Sequence, residues 1–216
     1  MSAISTTYSG FPVLIHTDTG LSQLNLPVSS LAIDSGNAFE TIGKVWQKRD
    51  NVKRKYYNRK ITQKYIVTSQ ADIQDFVDFF VSRQGRYEPF FAPVWINYFT
   101  PAETVSSSAT LKVHQANRDD FYSANNIIRK DVIVFENNLG STGQYRKISS
   151  VTDGLASNSG FDTITFDSAI DANPDSLITE LIWCHFGSDD LRVSALGADR
   201  YSISITLIED QGDLAL

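Results

Sequence analysis

The segment from Ser69 to Trp95 constrains this chain more than any other. Ser69 stands before an apolar repeat with Asp72 three residues on, the spacing of a capping box, so a helix starts there. Ile73, Phe76, Val77 and Phe80 recur at helical spacing and share one face, while Asp72, Asp75 and Asp78 fall on others. Gly85 stands where a left-handed residue ends a helix. Pro89 and Pro93 then forbid helix, yet Phe90, Phe91, Val94 and Trp95 need burial, so an extended apolar strand must follow. Phe76, Phe80, Phe90 and Trp95 are expected in the core. No catalytic residue type is concentrated here.

The rest of the composition points to β structure. Thirteen Phe and nine Tyr against one Met favour pleated surfaces on which flat rings pack. With 42% hydrophobic and 20% charged residues, the 216-residue chain is long and apolar enough for one large or two small cored domains. A formal net charge of −6 argues against bulk attraction to polyanions or anionic membranes. The single cysteine, Cys184, makes no intrachain disulfide and is expected in the core. The first residues lack the basic and apolar regions of a signal peptide, and no apolar run is long enough to cross a bilayer. A protein made in a reducing cytoplasm is expected.

Along the chain, residues 1–43 read as strands and turns, punctuated by Gly10, Asp18-Thr-Gly20 and Ser35-Gly36. From Trp46 to Val67 the pattern is extended, as a long strand or a hairpin turning near Asp50-Asn51. Tyr57, Ile61, Tyr65 and Val67 lie on one parity, which Arg59 and Gln63 interrupt. Thr104 to Thr110 reads as a polar linker into a second unit. In that unit Val132–Glu136, Tyr145–Val151, Thr163–Asp167 and Leu177–Phe186 are strand-like, the content of a small closed barrel. Beyond Gly187, Tyr201, Ile203, Ile205 and Leu207 alternate with Ser202, Ser204 and Thr206, a half-buried strand. A lone strand is unstable, so it is expected to return to the first domain. The expected domains are therefore residues 1–101 with 188–216, and an insertion at 102–187.

Few residues offer chemistry. His16, His114 and His185 are the only histidines, and none lies in a motif for nucleophilic catalysis. Cys184-His185 lacks a second ligand pair for zinc. Asp119-Asp120 and Asp189-Asp190 flank turns, where Asp is favoured for local hydrogen bonding. There is no phosphate loop, dinucleotide fingerprint or EF-hand spacing. No enzyme, cofactor or metal is expected.

The sharpest electrostatic feature is a run from Lys44 to Lys64 that holds nine of the nineteen basic residues and one acid, Asp50. Elsewhere ten basic residues face twenty-four acidic ones, a balance of −14. Separated plus and minus surfaces serve head-to-tail self-association. Lys48, Arg49, Lys53, Arg54, Lys55, Arg59, Lys60 and Lys64 are thus candidates for a subunit contact, with Tyr56, Tyr57 and Tyr65 as its anchors. The interleaved tyrosines also keep single-stranded nucleic acid as an alternative partner.

Three features stand in one order: Phe-Phe-Val-Ser-Arg-Gln-Gly-Arg followed by Tyr-Glu-Pro-Phe-Phe-Ala-Pro, a small β unit, and the strand Arg200–Glu209. In this the chain resembles the distal tail proteins of long-tailed, non-contractile bacteriophages, a family that includes the minor tail proteins of lambda-like phages. Asp131–Phe135, Tyr145–Val151 and Asp162–Phe166 resemble strands of the OB-like barrel inserted in its longer members. The resemblance implies a mainly β (α+β) fold: a tail-tube-like β-sandwich or barrel with one amphipathic helix, plus the inserted barrel. It implies a structural virion protein, made in the bacterial host cytoplasm, that forms a ring, expected to be a hexamer, at the distal end of the tail tube. The tube protein would lie above and the tip or baseplate hub below, with DNA passing through without specific binding. A channel lining of this kind is expected to be acidic. From a different class comes a glycan-binding role in host adsorption, with Phe121, Tyr122, Asn125 and Asn126 of the insert as an aromatic and amide platform.

Overall fold

The helix α1 (Gln70–Ser82) begins at its cap: Ser69 is extended and its Oγ accepts the Asp72 amide at 3.1 Å. It ends as Gln84 and Gly85 turn left-handed, at φ 51° and 63°, and the Gly85 amide donates to the Phe80 carbonyl at 3.2 Å. The positive φ at Gly85 favours glycine, and a Cβ there would lie 2.8 Å from Asp189 Oδ1 and push that carboxylate aside. The apolar stripe is centred on Phe76 and Phe79, with Ile73 and Phe80 partly buried beside them.

The structure is a computed structural model describing residues 7–15, 28–34, 39–42, 45–48, 58–114, 131–136, 143–152, 154, 160–197 and 200–210. It is mainly β. The strands are β1 (Thr7–Tyr8), β2 (Phe11–Pro12), β3 (Val28–Asp34), β4 (Phe39–Ile42), β5 (Val45–Lys48), β6 (Asn58–Val67) and β7 (Phe90–Pro93). After them come β8 (Val105–His114), β9 (Asp131–Phe135), β10 (Gln144–Thr152), β11 (Phe161–Ala172), β12 (Leu177–Phe186), β13 (Arg192–Gly197) and β14 (Arg200–Glu209). Ten of them form one antiparallel sheet in the order β3-β6-β14-β12-β9-β10-β11-β8, with β13 on β14 and β7 on β12.

The alternating strand β14 pairs with β6 from Tyr201↔Val67 to Ile208↔Lys60. It also pairs with β12 from Cys184↔Glu209 to Phe186↔Leu207. β12 is the spine. Its first residues ladder with β9, from Leu177↔Phe135 to Glu180↔Val132, and Leu181–Cys184 ladder with β7. The expected insertion boundary at 187 therefore falls after a strand already shared by both halves of the sheet.

Residues 104–110, expected as a linker, are instead mostly the start of β8. Their backbone is satisfied by β11 and by Asp171, whose carboxylate accepts the Ser107 amide at 2.8 Å and the Ser106 hydroxyl at 3.0 Å. Those bonds, with the Arg146 guanidinium nearby, hold the Asp171 carboxyl below its ordinary range. Strand propensity was overridden by pairing. Nor do the strand ladders among the described residues close into the expected barrel. The segment 98–102 joins the two ends instead: Tyr98 N–H donates to Ile178 O, Ala102 N–H to Lys112 O, and His114 N–H to Thr100 O, each at 2.9 Å.

Three apolar clusters result. One lies between the helix and β6, β7, β12 and β14, and includes Tyr65, Phe76, Phe79, Phe90, Cys184 and Phe186. A second, inside the 98–178 unit, is largely aliphatic and includes Leu111, Val132, Ile148, Ile164 and Ile178. The third, on the opposite face of β12, gathers Val13, Phe91, Trp95, Ile133, Phe135 and Leu181. The β1–β2 hairpin, turned at Ser9-Gly10 with both φ positive, lies over it. Phe11 meets Trp183 edge-on at 4.7 Å, and the Tyr8 hydroxyl donates to Asp131 at 2.6 Å.

Candidate functional site

Two places stand out: a buried polar joint between the units, and the part of the first sheet's far face on β6, β14 and β13, beyond the β1–β2 hairpin, that no element covers among the described residues.

The joint explains why Gln63 interrupts an apolar parity. Gln63 is 0% exposed; its Nε2 donates to the Pro93 carbonyl at 2.6 Å and its Oε1 accepts the Tyr65 hydroxyl at 2.7 Å. Trp95 Nε1 donates to the same hydroxyl at 3.3 Å. The Trp95 ring stacks on Phe135 at 5.7 Å, so one side chain touches both units. Trp95 holds this place at φ 62°, an outlier for a bulky residue that the surrounding contacts must over-determine. Burial pushes the Tyr65 phenol well above its ordinary value. Every polar atom in this chain of bonds has a partner, as a buried network requires. The sequence signal was the out-of-place Gln63 two residues before Tyr65.

On the open face, register decides which side chains look outward. Ile61, Gln63, Tyr65 and Val67 of β6 point into the first core, so Lys60, Thr62, Lys64 and Ile66 point away. Opposite them on β14 stand Ile208, Thr206, Ser204 and Ser202, and opposite the last two on β13 stand Arg192 and Ser194. Arg200 continues the same parity of β14. Lys60, Lys64, Arg192 and Arg200 are exposed, and none makes an ion pair with a described residue. β6, β13 and β14 put no carboxylate on this face, since Glu209 lies on the core parity and is buried, and β3 brings one acid to it by register, Asp34 opposite Asn58. The helical acids Asp72, Asp75 and Asp78 are on the other side of the sheet, so the first unit is electrically two-sided.

The residues expected at a subunit contact are thus divided. Lys60 and Lys64 are together on the open face. Tyr65 is 2% exposed, with its ring 4.8 Å from Phe76, so it belongs to the chain's own core and has no surface to give a neighbour. The parity that carries Ile61 and Val67 turns it inward. Lys48 ends β5, and Arg59 lies in β6 opposite Ile33. Arg49, Lys53, Arg54, Lys55, Tyr56 and Tyr57 lie outside the described residues, as do the glycan candidates Phe121, Tyr122, Asn125 and Asn126, and also His16 and Asp119-Asp120. Of the expected core residues, Phe76, Phe90 and Trp95 are buried and Phe80 packs against the core. Cys184 is buried too, 3.6 Å from the Phe90 carbonyl. His114 lies against the Phe161 ring and His185 is half-buried on β12. Asp189 serves structure: it pairs with Arg86 at 3.1 Å and accepts that residue's amide.

β3 and β13 each pair on one side only among the described residues, and every residue of β13 is exposed. Val193 and Leu196 are among its exposed apolar side chains. Neither a protein-family model nor a curated protein matches the chain.

Proposed function

We propose that the chain is a structural, ring-forming tail protein of the distal tail type, built to join a phage tail tube to its tip around a DNA channel. The observation that carries this reading is the pair of open edges on one sheet. With β3 at one end and β13 at the other, the order β3-β6-β14-β13 has ladder groups at both ends that no described residue pairs. Edges that differ from one another join heterologously, head to tail, and such contacts close into a ring when the rotation permits. The resemblance of the Phe76–Pro93 segment and of the returning strand supports the same assignment, and an OB-like reading of the 98–178 unit belongs to it.

Main-chain pairing would supply register, and apolar contacts the area that an obligate ring needs. Light scattering with negative-stain imaging tests the proposal. The expected species has a mass near six times 24.1 kDa and a central hole. Val193→Lys with Leu196→Lys, which blunts the β13 edge, should return it to the monomer mass. A strict monomer at high concentration would count against a self-assembling ring.

A further inference from the structure

We propose that the open face of the first sheet binds the phosphate backbone of duplex DNA without regard to sequence. Lys60, Lys64, Arg192 and Arg200 share that face, are exposed, and lack ion-pair partners among the described residues. A chain with a formal charge of −6 that collects on one sheet face four cations with no ion-pair partner among the described residues, against one acid that register brings there, Asp34 of β3, has concentrated attraction there against its overall balance. Lys64, Ser204 and Arg192 form a line across three strands, because Ser204 is the register partner of both others.

The neighbours between the cations are hydroxyls. Thr62 faces Thr206, and the exposed Ser204 follows on β14, whereas Ser202 beyond it is buried. Lysine, arginine, serine and threonine side chains are the groups that hold phosphate oxygens, and such contacts set position but carry no sequence information.

A second copy of the chain is the other occupant to weigh, through its acidic helix face. Composition decides against it. Protein interfaces are poor in lysine and serine at their centre and rich in large apolar side chains. The described part of this face holds lysines, arginines, serines and threonines, with Ile66 and, at the parity of Arg192 and Ser194, Leu196 as its exposed large apolar side chains. A hydrated polyanion needs no dry centre.

The charge belongs to the single chain, so the inference stands apart from the ring. If the face does line a channel, cations rather than the expected acids meet the DNA there. Contacts of this kind exchange readily, which suits a duplex that must move past them.

The test is fluorescence anisotropy of the full chain with a short random-sequence duplex, titrated between about 50 and 200 mM salt. Light scattering in the same buffers records the state of assembly, so loss of the ring and loss of DNA binding are read separately. Wild type should bind with an affinity that falls steeply with salt. The pair Lys60→Gln and Lys64→Gln should lower the log–log salt slope by about 2 and the affinity at low salt by on the order of tenfold. Arg192→Gln with Arg200→Gln should act in the same direction, and an unrelated duplex should give the same values. Lys112→Gln, which removes a cation already paired with Glu103 in the other unit, should change neither quantity. Thermal melts confirm that each variant is folded.

Absence of binding at low salt would overturn the proposal. So would binding that both pairs of substitutions leave unmoved, which would place the contact elsewhere. Self-association that Lys60→Gln and Lys64→Gln abolish, in a chain that ignores DNA, would assign the face to a second copy.

Discussion

The two main cores are closed by different means. The first is a sheet with one face under an amphipathic helix: aromatic, rich in ring-on-ring contact such as Phe79 on Phe90 at 5.1 Å, and crossed by a buried polar chain from Gln63 to Trp95. The second is wrapped by its own strands, with the segment 98–102 bonded to both ends, and is filled mainly by aliphatic side chains. The third cluster buries the second apolar face of both, at β7 and β12 of the first and at Ile133 and Phe135 of the second, and leaves β6, β14 and β13 of the first sheet uncovered on that side among the described residues. Among the described residues the first unit thus has part of a face and two edges available for contact.

Substitutions can break or sharpen this contrast. The largest effect is expected at the helix–sheet contact. Phe76→Ala should cost about 3–5 kcal/mol, because a ring against Tyr65 leaves a cavity that a rigid sheet cannot fill. Ile164→Val, which removes one methylene from the aliphatic core, should cost only about 0.5–1.5 kcal/mol. Urea denaturation checks both, and equal losses would erase the distinction.

Tyr65→Phe comes next. It leaves Gln63 Oε1 and Trp95 Nε1 without the hydroxyl, and a buried orphan of this kind costs about 1–3 kcal/mol. The same variant alters alkaline behaviour. The Tyr65 phenol is raised in the fold, so its contribution is complete below the ordinary value of 10.0 and is lost as pH climbs beyond it toward the folded value. Tyr65→Phe should therefore flatten the alkaline limb of stability, and melts between neutral and high pH would show it.

Much of the first unit was legible in the sequence, because its signals are local. Ser69, Asp72 and Gly85 mark the helix ends through their own backbone bonds, and the alternation from Tyr201 to Leu207 gives β14 its faces. Tyr65 is the instructive case. An aromatic within a basic run reads as an interface anchor, but the parity set by Ile61 and Val67 turns it inward, and only a distant partner, the Pro93 carbonyl, shows why Gln63 can join it in the core. The Ser106–Thr110 run misled for a related reason. Its strand character comes from β11 and Asp171, tens of residues away, and no local signal carries that. The open face needed register between β6, β13 and β14 to be seen at all.

Smaller effects refine the picture. Ser69→Ala removes the cap from the helix covering the first core and should cost about 0.5–2 kcal/mol, against a smaller change for Ser82→Ala, whose exposed hydroxyl bonds only the neighbouring Arg83 and the helix's own Phe79 carbonyl. In the second unit, Asp171→Ala deletes the acceptor for Ser106 and Ser107. Its carboxyl is lowered in the fold, so the stability it lends is present above the ordinary value of 3.8 and vanishes as pH falls through the folded one. The difference between wild type and Asp171→Ala should narrow on acidification. A gap that stays constant would show that packing, not charge, is at work there.

The shared spine has a consequence for synthesis. β6, the helix and β7 emerge from the ribosome long before β12 and β14, on which their core closes. The 98–178 unit draws most of its contacts from within itself, so it can condense while the earlier strands still wait with Phe76 and Phe90 uncovered. Contacts of such long sequence separation form late and leave apolar surface exposed in the meantime. The nascent chain is therefore expected to fold from the middle outward, and its hazardous interval is the one before β14 arrives.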